Sequence, residues 1–198
     1  MCVLVVKNDK YGKPLRAKSL IVFLGDFEDC LYQKSQRYAP LLKYISLRLL
    51  TAKAVVYERI LQQGDCVNSF YNATLTNDEV NVIRSPIGNL AFQEDEYWIL
   101  KKTLYGLRRS PHHWYSLIKG ILLKMGLKAS PHDPCVLSGI IDNQTAHQTI
   151  LEAQSQIHVG LYVDDLVFYS SYPNREALFQ TLLQEHIQVD FMVDVDYF

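Results

Sequence analysis

Two carboxylates stand side by side at Asp164 and Asp165 with apolar, strand-like sequence on both sides. Before them Ile157, Val159, Leu161 and Val163 alternate with His158, Gly160, Tyr162 and Asp164, the period of a half-buried strand. After them Leu166–Tyr169 form a second apolar arm. The pattern predicts a β-hairpin over 157–169 with the Asp pair at its tip. Adjacent like charges repel and raise each other's pKa unless a cation lies between them, and Asp-Gly or Asn-Gly makes the better tight turn. An ordinary polar turn and a cation-binding pair are both open to a bare Asp-Asp.

The rest of the chain supplies elements for that hairpin to pack against. Val3–Lys7 and Leu20–Phe23 read as strands about a polar Asn8–Gly12 turn. Pro40 is expected to open a helix with an apolar stripe at Leu42, Ile45, Leu49, Ala52, Val56 and Ile60. A short strand over 61–67 should follow and end near Asp65. Val80–Arg84 and Trp98–Lys101 read as strands separated by a loop with Pro86 and Gly88. The strongest helix signal lies at 111–125. Ser110 stands at the N-cap, Pro111 at the first helical position and Gly126 at the C-terminal stop. Trp114, Leu117, Ile118, Ile121, Leu122 and Met125 form its core stripe. Pro173 and Asn174 begin a last amphipathic helix with Leu178, Phe179, Leu182, Leu183 and Ile187 facing inward. This order indicates an α+β fold, with helices on one face of an antiparallel sheet.

Charge is unevenly spread over the 198 residues. Residues 1–48 hold nine Lys and Arg against four acids, and 97–132 hold seven against none. Residues 49–96 hold three against seven, and 133–198 one against ten. A protein that grips phosphates with one surface and divalent cations with another separates charge this way, and so do uneven solvated faces. Cys2, Cys30, Cys66 and Cys135 form no CxxC pair, which speaks for free thiols in a reducing compartment and against a zinc site or disulfide frame. The chain is therefore expected not to be secreted, and the sequons at Asn72 and Asn143 not to be glycosylated. No apolar run approaches the roughly 20 residues that cross a bilayer.

Five ordered blocks sharpen the reading. Leu161–Val167 resembles the Tyr-x-Asp-Asp motif of reverse transcriptases. The stretch from Asp65 to Leu75 is similar to the segment that holds the first catalytic Asp in copia-type retrotransposons. Lys101–Trp114 is similar to that family's lysine-rich Tyr-Gly-Leu motif and following helix. Asp133-Pro-Cys135 resembles its Asp-x-Cys, and Asn8–Val22 with Tyr38–Arg48 its fingers segment. The resemblance implies a partial reverse transcriptase with fingers and palm, the palm a ferredoxin-like antiparallel sheet. Residues up to about 60 would be mainly fingers and 61–198 mainly palm with a fingers insertion. The thumb and RNase H are expected to be absent from this chain.

The resemblance also implies the site. Asp65, Asp164 and Asp165 would be catalytic, with the Cys66 backbone carbonyl as a further ligand for two Mg²⁺ ions, replaceable by Mn²⁺. Asp65 and Asp164 would bridge the metals, and Asp165 would act less directly. Lys18, Phe70, Arg108 and Arg109 would bind the incoming nucleotide, Phe70 as a steric gate against a 2′-hydroxyl. Lys101, Lys102 and Tyr162 would hold template and primer. Taken alone, Phe70 reads more often as core, and a solvated basic face is the competing reading of Arg108, Arg109, His112 and His113. The implied partners are an RNA or DNA template with its primer and dNTPs, with no membrane. The implied location is a cytoplasmic virus-like particle or the nucleus.

Departures from the family pattern matter. Its Lys-Ala-Arg-Leu-Val becomes Lys18-Ser19-Leu20-Ile21-Val22, so Leu20 replaces an Arg that faces the triphosphate, and Ala73 replaces a turn Gly. A catalytically silent remnant that binds nucleic acid is therefore a second hypothesis. An unrelated Mg²⁺ phosphotransferase of ferredoxin-like fold is a third, which the Tyr105–Trp114 block opposes.

Overall fold

The computed structural model describes residues 2–9, 11–25, 28, 33–76, 79–85, 96–141, 156–172 and 175–192. The chain divides into two compact units, one of Met1–Tyr38 with Phe70–Trp114 and the other of Ala39–Ser69 with Tyr115–Phe198. No helix among the described residues is long and apolar enough to cross a membrane.

The first unit opens with a hairpin of β1 (Cys2–Asn8) and β2 (Pro14–Ile21), paired from Cys2↔Ile21 to Asn8↔Pro14 with a bulge at Lys7/Asn8. The second strand thus begins earlier than the expected Leu20. The Asp9 carboxylate accepts from the Tyr11 and Lys13 amides, both at 2.9 Å, and closes the loop before Pro14. A short α1 (Lys34–Arg37), which the sequence did not announce, follows. A second small hairpin pairs β4 (Val82–Arg84) with β5 (Tyr97–Ile99); the Pro86–Gly88 loop lies outside the described residues. The Tyr-Gly-Leu segment has a backbone reason. Val22 bridges Tyr105 in parallel, the Phe23 amide donates to the Tyr105 carbonyl at 2.7 Å, and Gly106 takes φ +91°. A Cβ at Gly106 would run into the Phe23 carbonyl, so no other residue fits.

The second unit is built on a six-stranded antiparallel sheet in the order β10-β3-β9-β8-β7-β6. Its strands are β3 (Gln62–Cys66), β6 (Lys128–Ala129), β7 (Val136–Gly139), β8 (Ile157–Tyr162), β9 (Asp165–Ser170) and β10 (Val189–Met192). The hairpin at 157–169 forms as expected, with Ile157↔Ser170 at one end and Tyr162↔Asp165 at the tip. Helices do not occupy one face alone. A Cβ on Gly160 would meet Leu42 and Leu50, which flank and belong to α2 (Tyr44–Val56). Gly160 pairs with Val167, so α2 covers the face they share. On the opposite face Phe168 meets Phe179 of α5 (Arg175–Gln184), ring centroids 4.9 Å apart. The physical cause is visible in the strands: Val159, Leu161, Leu166, Val167 and Phe168 are all buried, so neither side of the central hairpin faces water.

α2 also corrects its own expected stripe. It begins at Tyr44 rather than Pro40, and it buries Leu50 and Ala54 while Ile45, Leu49, Val56 and Ile60 are exposed. Apolar residues run almost all the way round this helix, so periodicity could not select a face. Its start is fixed from a distance. Buried Asp133 accepts from the Lys43 amide at 3.0 Å and the Ser46 hydroxyl at 2.6 Å, and from the Cys135 amide at 3.0 Å. α4 (Ser110–Lys124) buries Trp114, Ile118, Ile121 and Leu122 as expected. Ser110 is not its N-cap, because its hydroxyl donates back to the Leu104 carbonyl while the Arg109 carbonyl accepts the first helical bond from His113. At the other end Gly126 has φ +94°, with Gly126 and Leu127 amides bonded to Leu123 and Leu122 carbonyls, a Schellman stop. A short α3 (Ser69–Asn72) follows β3. Pro173 and Asn174 lie outside the described residues.

Candidate active site

The sheet brings three segments remote in sequence to one spot. Asp65 at the end of β3 is directly opposite Asp165 at the start of β9. The Cys66 amide donates to the Asp164 carbonyl at 2.8 Å, which makes Asp65/Asp165 a non-hydrogen-bonded pair. Such pairs hold their Cα atoms about 4.5 Å apart, with side chains on one face. The register thus sets Asp165, rather than Asp164, against Asp65. Asp164 sits beside them in the two-residue turn Val163–Asp164. Val163 has φ +56°, a conformation in which a β-branched side chain is strained and which this turn normally gives to glycine. Strain of this kind concentrates at functional sites.

Tyr162 pairs with Asp165, and Asp190 of β10 pairs with Asp65. Asp190, Asp65, Asp165 and Tyr162 therefore form one row across four strands, on the face that α2 covers farther along. Asp65, Asp164 and Asp165 are half-buried, and Tyr162 is 45% exposed. Asp190 was missed in sequence. Its signal was the alternation of Val189 and Phe191 with Asp190 and Met192, a period-two pattern marking an edge strand.

Burial raises the Asp165 carboxyl above its ordinary pKa, and the negative charges of Asp164 and Asp65 add to the rise. A hydrogen bond from the Gln63 amide at 3.4 Å opposes it weakly. The Cys66 thiol is pushed up to about 12, first by burial and then by Asp65, Asp164 and Asp165. It stays a neutral thiol, so only the backbone of Cys66 can offer a donor. Cys66 and Cys135 are both free and buried. Among the described residues no three His, Cys, Asp or Glu side chains are gathered into a ready-made metal cage. The donor set nevertheless suits Mg²⁺, which takes hard oxygens and needs only one or two carboxylates when waters and substrate phosphates complete its shell. Burial is the larger cause of the raised Asp165 carboxyl, and the charges of Asp164 and Asp65 that add to it are what a divalent cation would neutralise.

The basic candidates belong to the first unit. Lys18 is half-buried on β2 opposite Val5. Phe70 packs edge-on against Tyr105 with centroids 4.7 Å apart, and its carbonyl accepts from the Thr103 hydroxyl. Lys101 and Lys102 are exposed, held by the Leu75 amide on the Lys101 carbonyl and a Thr74↔Lys102 bridge. The Arg108 amide donates to Glu28, and its Nε to the Gly25 carbonyl at 2.8 Å. Arg109 forms an ion pair with Glu79, whose other oxygen lies 3.0 Å from His113 Nε2. Glu79 is 5% exposed, so much of the Arg109 charge is already answered by a buried carboxylate. Glu79 carried no signal in the sequence beyond its type.

Comparison with known proteins identifies the family. The family model described as "Reverse transcriptase (RNA-dependent DNA polymerase)" matches residues 3–198. The chain is 26% identical over 195 residues to the Retrovirus-related Pol polyprotein from transposon RE1 of Arabidopsis thaliana, and 28% over 194 residues to that from transposon RE2. Each match covers 97% of this chain and 12% of the polyprotein. A Nicotiana tabacum polyprotein from transposon TNT 1-94 is 25% identical over 68% of the chain and 10% of its own length. The chain thus spans about an eighth of the curated relatives that it matches along nearly its whole length. With its carboxylates, hairpin and Tyr-Gly-Leu turn in the order that copia-type elements use, this chain belongs to the reverse transcriptase (RNA-dependent DNA polymerase) family.

Proposed function

We propose that the chain carries the nucleotidyl-transfer centre of an RNA-directed DNA polymerase, joining a dNTP to a primer 3′-hydroxyl on an RNA or DNA template. The first unit corresponds to fingers and the second to palm, its sheet an extended ferredoxin-like core. The reading rests on one observation, the Asp65–Asp165 pair with Asp164 at its side. These carboxylates, with the Cys66 carbonyl, would hold two Mg²⁺ or Mn²⁺ ions. When bound, such ions stabilise the attacking and leaving oxygens of an in-line displacement at phosphorus.

The remaining residues bind and orient. Tyr162, exposed beside the row, supports the primer end. Phe70, fixed by Tyr105, gates against a 2′-hydroxyl. Lys18 and Arg108 draw in the triphosphate, Lys101 and Lys102 the template-primer backbone. Arg109, which forms an ion pair with Glu79 at the start of α4, joins Lys18 and Arg108 in binding the nucleotide. The chain would work in a cytoplasmic particle or the nucleus.

Leu20 favours a second reading, a silent remnant that only binds nucleic acid, because a charge-assisted phosphate contact is missing there. Primer extension on poly(rA)·oligo(dT) separates the two. Incorporation with Mg²⁺ or Mn²⁺ that Asp65→Asn abolishes supports the polymerase. No incorporation with either metal, together with retained duplex binding, refutes it in favour of the remnant.

A further inference from the structure

Gln63 lies two residues before Asp65 on β3, so its side chain shares the face of the acidic row. It pairs with Val167 of β9 and Met192 of β10, and Val167 pairs in turn with Gly160. Met192, Gln63, Val167 and Gly160 thus form the row next to the acids. Gln63 is 8% exposed. Packing alone would put an apolar side chain there, as at Val167, because a buried amide is unfavourable unless it is hydrogen-bonded. Its Nε2 donates to Asp165 Oδ1 at 3.4 Å. An ionised carboxylate only accepts, so the amide has to turn its NH2 rather than its oxygen to Asp165. Asp165 Oδ2 accepts no hydrogen bond from any described residue.

We propose that Gln63 is a positioning residue for the carboxylate site, its amide occupying one oxygen of Asp165 so that the other is presented to a divalent cation. Repulsion from Asp65 and Asp164 favours turning this carboxylate away from them before a cation arrives. The amide gives it one fixed partner. At 3.4 Å the bond is long, enough to choose among carboxylate orientations and too weak to withhold the group from a metal. As an uncharged donor, Gln63 adds no further repulsion to the row. Hydrogen-bond partners of ligating carboxylates commonly change metal affinity by about tenfold or more. The inference deepens the polymerase reading: what the cation is for rests on that reading, whereas cation binding does not.

The test is Mn²⁺ binding by the whole chain without nucleic acid, read as loss of the free-ion electron paramagnetic resonance signal. Gln63→Met, nearly the same size but without a donor, is expected to weaken Mn²⁺ binding about tenfold. In an Asp165→Ala background the same substitution should cause no further loss, which a role in packing alone would not produce. Gln62→Met is the control. Gln62 accepts from Gln180 Nε2 at 2.7 Å on the opposite face of the sheet, and its loss should leave Mn²⁺ affinity at the wild-type value. Gln63→Asn holds the amide one methylene short and should also weaken binding, which covers a Gln63→Met chain that does not fold. In primer extension Gln63→Met should need about tenfold more Mg²⁺ for half its maximal rate and recover at saturating metal. Wild-type Mn²⁺ affinity in a folded Gln63 variant, an equal loss in the Asp165→Ala background, or a wild-type chain that binds no Mn²⁺ overturns the inference. Mn²⁺ binding weakened as expected, in a chain whose wild type extends no primer, supports the inference and refutes the polymerase reading.

Discussion

Replacing Asp165 by Asn removes one charge from a pair that the sheet forces together. Non-hydrogen-bonded partners stand about 4.5 Å apart at Cα, and carboxylates about 5 Å apart repel by roughly 3 kcal/mol at an effective dielectric of 20. Half-burial of both groups leaves them partly screened, so about 1–2 kcal/mol of that repulsion should remain at pH 7 without divalent cations. Asn keeps the shape and can still meet Gln63, so the variant should be more stable than the wild type in EDTA by that amount. For a chain of this length that is about 2–8 °C in Tm. The pH dependence has a definite sign. The folded Asp165 carboxyl titrates above its unfolded value, so its contribution to stability is fully present below the unfolded pKa. It is lost as pH rises through the folded pKa. The gap between variant and wild type should therefore open from about pH 4 upward. Millimolar Mg²⁺ should close it by stabilising the wild type more than the variant. Urea titrations at pH 4 and 7, with EDTA or Mg²⁺, measure all four corners. A variant less stable than wild type at pH 7 in EDTA, or equal gains from Mg²⁺, would refute the reasoning.

Asp133→Ala should destabilise the second unit by about 2–3 kcal/mol, since it leaves the Lys43 and Cys135 amides and the Ser46 hydroxyl without their acceptor. Burial works against Asp133 ionising, yet the bonds from Ser46, Lys43 and Cys135 outweigh it and hold the carboxyl below its ordinary value; the difference from Ala in denaturant midpoint should fade as pH drops below about 4. His158 is depressed to about 4 by burial, with Lys53 adding to the effect, so it is neutral where it stacks on Tyr169 at 4.8 Å. Its share of stability is present above the unfolded pKa of about 6.5 and is lost as pH falls through the folded value; His158→Phe should flatten the loss of Tm between pH 6.5 and 4. Val163→Gly should relieve the φ +56° strain and stabilise the apo chain by about 1 kcal/mol, with primer extension falling if the strained turn is what aims Asp164; a variant that gains stability and keeps full activity would show that the strain has no such use.

How much of this was legible in sequence depends on whether a residue's partners are local. The 157–169 hairpin was readable because its two arms are neighbours in the chain and the Asp pair marks the turn between them. The Gly126 stop was readable for the same reason. The face that α2 buries was not, because Ile45, Leu49 and Val56 are as apolar as Leu42, Leu50 and Ala54. What chooses between them is the absence of a side chain at Gly160, more than a hundred residues later, into whose space Leu42 and Leu50 fit. The start of α2 was misplaced on the same ground: Pro40 is a local signal, whereas the real anchor is Asp133.

The site follows the same rule with a sharper consequence. The resemblance named Asp65, Asp164 and Asp165 and joined Asp65 to Asp164 through shared metals, but it could not show which hairpin carboxylate lies opposite Asp65 in the sheet, because side chains alternate at period two and a one-residue shift exchanges them. The ladder decides it: Gln62↔Phe168 through Asp65↔Asp165 is a continuous register, anchored by Gly64, where a Cβ would press on Val189 and Phe191 of β10. A side chain at Gly64 would push β10 away and, with it, Asp190 from beside Asp65. The glycine immediately before the first carboxylate is therefore what lets β3 sit between β9 and β10, and the order of the acidic row across the sheet depends on it as much as on the acids themselves.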